Sequence, residues 1–133
     1  MYRAISLVLF GHDRLHFQVR MRVLAELKRN PVRYSSMVCE SDIVEFAPTL
    51  KASPLPLWER FLAYTQKTGS WGSCVTLLAA ANAYERNICI VPISGHAPMH
   101  ILKDGTATSK EAEEPPIILA FKSELHYMAT VAT

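Results

Sequence analysis

A chain of 133 residues is large enough for one hydrophobic core and too small for two, so a single domain over 1–133 is expected. Half of the residues are hydrophobic and a fifth charged, which excludes a disordered chain, and a net charge of +2 gives no electrostatic case for nucleic acid or acidic lipid. Three cysteines at unrelated spacings exclude a disulfide framework and suit a reducing compartment inside the cell, cytoplasmic or nuclear.

Met1 to Gly11 reads as a helix closed by its glycine. Ala4, Ile5, Leu7, Val8, Leu9 and Phe10 make it apolar nearly all round, which predicts an element inside the domain. Met1 stands where a capping Ser, Thr, Asp or Asn would satisfy the first backbone N–H groups. Arg3 ahead of an apolar run raises a secretory signal, but the run is short and Gly11-His12-Asp13 replaces a small-x-small cleavage site. No stretch approaches the ~20 apolar residues of a membrane span, and no membrane partner is expected.

From Arg14 to Arg29, Leu15, Val19, Val23, Leu24 and Leu27 recur at helical spacing, with Asp13 as a start signal and Asn30-Pro31 as a stop. Arg14, Arg20, Arg22, Lys28 and Arg29 fall mostly on the other side. A solvated face is expected there, and a nucleic-acid surface is the weaker alternative. Val32 to Ala47 is helical in part, and Pro48 to Pro56 is a loop with three prolines. A second amphipathic helix runs from Leu57 to about Thr68 around Trp58, Phe61, Leu62 and Tyr64. Ser73 then caps a helix from Cys74 to about Arg86 whose alanines let a neighbour approach closely.

The last third is strand-like. Ile88 to Val91, Met99 to Leu102, Ile117 to Phe121 and Leu125 to Val131 are short β-branched or apolar runs. The polar stretch Lys103 to Pro116 separates the second from the third, and the last two form a hairpin. Helices first and strands last is the α+β order, with a small, mostly antiparallel sheet at the C-terminal end.

These elements contain particular words in a particular order: Met1-Tyr2-Arg3-Ala4-Ile5-Ser6, His16 with Arg20, Trp71-Gly72 before an apolar helix, Ile88-Cys89-Ile90-Val91, and His126-Tyr127. In that order they resemble the ovarian-tumour (OTU) family of cysteine peptidases, which remove ubiquitin from proteins. The resemblance covers Met1 to Val131 and implies a papain-like fold of the OTU type. Vertnin-like proteins, which have an OTU-like domain without the full peptidase motif, are the nearest non-enzymatic comparison.

The resemblance implies a Cys-His hydrolase in which His126 is the general base. It implies that Trp71, Gly72 and Tyr127 line the substrate, that ubiquitin or a ubiquitinated protein is the partner, and that no cofactor is used. A monomer is expected. In the family, Asp-Gly-x-Cys precedes the word that begins here at Met1, so the nucleophile corresponds to a position ahead of Met1. Met128 stands where many members hold the imidazole with an Asp or Asn. Both departures lead to the expectation that these 133 residues alone are inactive, with a non-catalytic ubiquitin- or protein-binding module as the alternative.

Cys74 is the alternative nucleophile within the chain, because Gly72-Ser73-Cys74 at a helix start resembles the papain-type nucleophile. The rest of that pattern is missing, and a buried structural cysteine is expected. Cys39 and Cys89 are expected to be structural as well. His12 with His16, and His96 with His100, are spaced by four but lack further ligands, so no metal site is expected.

Overall fold

The computed structural model describes residues 1–43, 54–67, 73–92, 97–101, 103, 115–121 and 127–129. Among the described residues, five helices come first: α1 (Tyr2–Phe10), α2 (His16–Arg29), α3 (Pro31–Ser35), α4 (Leu57–Gln66) and α5 (Cys74–Tyr84). The strands β1 (Ile88–Pro92), β2 (Met99–Ile101), β3 (Ile117–Phe121) and β4 (Tyr127–Ala129) follow. They form one four-stranded sheet in the order β2-β1-β3-β4. β1 and β3 are parallel at its centre, while the β1–β2 and β3–β4 pairs are antiparallel. The α+β order and the terminal hairpin are as the sequence predicts.

Alternation along the central strands builds the core. Ile88 pairs with Ile117 and Ile90 with Leu119, and all four side chains are buried on one face. Helix α1 lies on that face, packing against β3 and β4. Ile5 of α1, Val19, Val23 and Leu27 of α2, and Leu77, Ala80 and Ala81 of α5 complete the same cluster. The alanines of α5 let α2 approach it closely, as their small volume predicts.

Helix α1 differs from its predicted all-round burial. Tyr2, Ala4, Ile5 and Ser6 are buried, but Leu7 is 45% exposed and Phe10 is 43% exposed. Apolar composition fixes which residues can be inside, not how many of them the neighbours cover. The polar Ser6 is inside because it works as a clamp. Its hydroxyl donates to the His12 carbonyl at 2.7 Å and accepts the Leu15 N–H at 3.2 Å, which folds the short 3₁₀ turn Asp13–Leu15 back onto α1. Asp13 makes no side-chain cap and instead lies 3.8 Å from Arg3.

Two further links fix the helices. Tyr34 donates to Glu26 at 2.8 Å and accepts from Asn82 at 2.8 Å, which joins α3, α2 and α5. Arg60 of α4 forms a bidentate pair with Glu40 at 2.9 and 2.7 Å and also donates to the Leu55 carbonyl. Of the helical part predicted between Val32 and Ala47, the turns through Ser35 and over Glu40–Asp42 are present, and residues from 44 onward lie outside the described set.

Gly11 closes α1 in the left-handed conformation at φ 80°, and its N–H bonds the Leu7 carbonyl at 3.0 Å. A Cβ there would meet nothing within 4 Å, so the cost of a side chain is purely conformational. Gly11→Ala is therefore expected to lower unfolding stability by about 1 kcal/mol, and Gly11→Asn by less, read as a shift of the urea midpoint at unchanged slope.

Candidate active site

Three helix ends meet around the first turn of α1. Tyr2 is the first residue of that helix and is buried at 3% exposure. The Arg20 guanidinium, from the middle of α2, lies 4.2 Å over its ring. The same guanidinium donates from Nη1 to the Thr65 carbonyl at 2.8 Å, in the last turn of α4. The start of α5 arrives from a third direction, with the Thr76 hydroxyl 3.8 Å from the Met1 sulfur.

The start of α5 is built as its sequence predicts. Ser73 accepts the Thr76 N–H at 3.4 Å, and Thr76 Oγ1 accepts the Ser73 N–H at 2.7 Å, forming a reciprocal cap. Thr76 also donates to the Ser73 carbonyl at 2.9 Å. With its proton committed there, Thr76 adds little for the nearby Tyr2 hydroxyl, which is buried without a well-formed hydrogen bond. Burial pushes the Tyr2 phenol up to about 12, against a smaller opposing pull from the Arg20 charge. Burial, helped by Arg20, pushes the Met1 amine down to about 6.

Arg20 corrects the sequence reading most sharply. It was expected on a solvated basic face with Arg14, Arg22, Lys28 and Arg29; those four are exposed, but Arg20 is 4% exposed. The signal for this is present in the helical period, because Arg20, Leu24 and Leu27 share one stripe at spacings of four and three. The weaker alternative, a nucleic-acid surface, thereby loses its central charge. Arg22 is also engaged, donating to the Ala83 carbonyl at 3.0 Å beside the Tyr84 ring.

The sequence-derived site residues fall as follows. Cys74 is the first residue of α5 and is exposed, not buried as expected, because the first position of this helix faces away from α2 and the sheet. Cys39 is exposed, and its sulfur lies 3.4 Å from Asp42 in a small cap. Cys89 is half-buried in β1. Trp71, Gly72 and His126 lie outside the described residues, as does His96. Tyr127 opens β4 opposite Phe121, and Met128 follows opposite Ala120, so the strand after His126 is the one on which α1 packs. Among the described residues, no three His, Cys, Asp or Glu side chains converge as a metal site requires. Nor is any described helix long and apolar enough to cross a membrane.

Comparison with known proteins agrees with this architecture. The family model described as OTU-like cysteine protease matches residues 1–130. An Arabidopsis thaliana protein, ovarian tumor domain-containing deubiquitinating enzyme 11, is 29% identical over 132 residues. That alignment covers 98% of this chain, which spans 45% of the length of that relative. Among solved structures, the OTU domain of OTUD1 superposes with a TM-score of 0.71 at 20% identity, covering 96% of this chain and 75% of that one. An OTU domain solved in complex with ubiquitin gives 0.62 at 19% identity, covering 96% and 60%. The fold is the papain-like fold of OTU domains.

The buried phenol has a measurable consequence. Its pKa is raised from 10.0 to about 12 in the folded state, so the unfolded chain releases this proton first as pH rises. That contribution to stability is complete below pH 10 and is lost as pH climbs through about 12. Tyr2→Phe is expected to flatten the alkaline fall in unfolding free energy by about 2–3 kcal/mol. It should leave stability at pH 7 unchanged or slightly higher, because the deleted hydroxyl has no good partner. Urea titrations at pH 7 and across the alkaline range check both.

Proposed function

The chain belongs to the OTU-like cysteine protease family, and from that premise we propose that it is the scaffold and general-base part of a ubiquitin-directed Cys-His hydrolase. The observation that carries this reading is the packing of α1 against β4, the strand that opens one residue after His126. In the family, the peptide that ends on the N-terminus of this helix bears the nucleophile. Helix and histidine strand are therefore neighbours, as transfer of a proton between thiol and imidazole requires.

The chemistry follows from that arrangement. A cysteine ahead of Met1 loses its proton to His126, aided by the dipole of α1. The thiolate attacks the carbonyl carbon of an amide formed by the ubiquitin C-terminus, and the amine leaves with the proton that His126 took up. Water then attacks the thioester, His126 again taking and returning a proton, which frees the carboxylate and the thiol. Trp71, Gly72 and Tyr127 contact the substrate segment in this reading.

In this reading residues 1–133 supply the base and the scaffold of the reaction. Cys74 is exposed at the start of a capped helix and is the alternative nucleophile within the chain. Three cysteines outside any disulfide suit an intracellular site of action, cytoplasmic or nuclear, and this reading takes the module as a monomer without a cofactor. A second reading, a ubiquitin-binding module without catalysis, is favoured by Met128, which cannot accept a hydrogen bond from the imidazole as an Asp or Asn would.

A ubiquitin derivative carrying a C-terminal electrophile separates these readings. The 133-residue chain is expected to remain unlabelled, and a version extended at Met1 by Asp-Gly-x-Cys is expected to gain a ubiquitin adduct at the added cysteine. An adduct at Cys74 would overturn the assignment. Saturable binding of labelled ubiquitin by an extended chain that forms no adduct would favour the binding module.

A further inference from the structure

We propose that Arg20 is a positioning residue of this site, clamping the start of α1 to the end of α4; the proposal rests on the peptidase reading above. Arg20 covers the Tyr2 ring at 4.2 Å and donates to the Thr65 carbonyl at 2.8 Å. Tyr2 is the first residue of the helix onto which the family nucleophile feeds. Thr65 lies just before the end of α4 at Gln66, and α5 starts at Cys74. The end of α4 is thus tied to the first turn of α1 through Arg20, and the start of α5 touches it through Thr76, whose hydroxyl lies 3.8 Å from the Met1 sulfur.

Core filling alone does not account for an arginine at this place. An unbranched apolar side chain would pack the space without the cost of desolvating a guanidinium. A planar cation does two things that such a side chain cannot. It lies flat on an aromatic face, and it satisfies a carbonyl at a helix C-terminus, where backbone acceptors lack partners within the helix. Charge alone is also insufficient, because a lysine cannot present a flat face and a directed N–H together.

Amide hydrogen exchange on the 133-residue chain tests this, comparing the wild type with Arg20→Met and Arg20→Lys. The Ile5 amide, bonded to the Met1 carbonyl at 3.0 Å, reports on the first turn of α1. The Lys67 amide, bonded to the Tyr64 carbonyl at 3.1 Å, reports on the end of α4. Both variants are expected to exchange about tenfold faster at these two amides, with amides in β1 and β3 changed less than about twofold. In Arg20→Met, the midpoint for acylation of the Met1 amine should also rise above about 6, because burial, the larger cause of its lowering, remains while the neighbouring cation is lost. Should Arg20→Met fail to fold, Arg20→Lys carries the exchange test by itself. Equal acceleration at all amides would reduce Arg20 to a general stabiliser and overturn the proposal, as would unchanged exchange at Ile5 and Lys67. No ubiquitin enters this measurement, so its failure is distinct from a failure of the electrophile experiment.

Discussion

A guanidinium taken out of water is costly unless its charge and its N–H groups are met where it lands. Arg20 meets that condition by joining elements that the chain supplies far apart. An aromatic ring from the first helix covers one face, and a backbone carbonyl from the fourth takes one of its protons. A slide of either helix would therefore break one of these two contacts. The apolar contacts of Ile5 with the sheet cluster are stronger in sum but tolerate small shifts, whereas the charged contact allows one arrangement. The hydrophobic face therefore determines that α1 lies on the sheet, and the arginine determines where its first turn stops.

Much of the architecture was legible because it rests on periodicity. Ile88, Ile90, Ile117 and Leu119 alternate with less buried neighbours, and Val19, Val23 and Leu27 follow the helical repeat, so strands and helices emerge from spacing. The Ser73 cap is equally local and equally readable. Arg20 was not read correctly, because a basic residue among basic residues on a helix is assigned to solvent by composition. Its interior role depends on Tyr2 and Thr65, which are distant in sequence. Cys74 shows the reverse error: an apolar helix suggests a buried thiol, yet its first residue projects before the packing face begins. Leu7 and Phe10 belong to the same class of miss, since coverage is a property of neighbours and not of the residue.

Of the candidate site, order was legible and geometry was not. Motif words from Met1 to His126-Tyr127 fall in the OTU sequence order, and the family match spans nearly the same residues. What a linear word cannot express is that α1 rests on β4, which brings the first helix and the last described strand together. The same frame is shared with OTU structures at only 20% and 19% identity.

The Glu40–Arg60 pair bears on how such a domain can vary. It brings together two points twenty positions apart, and its arginine is well buried while its carboxylate remains accessible. By connectivity alone, such a pair closes the chain between its two residues into a loop. Doubling the length of such a loop adds only about 0.6 kcal/mol of closure entropy. Lengthening or rewriting that span over evolution would thus be cheap for the fold. A lineage could diversify what this edge of the domain touches while the Arg20 knot and the sheet stay unchanged.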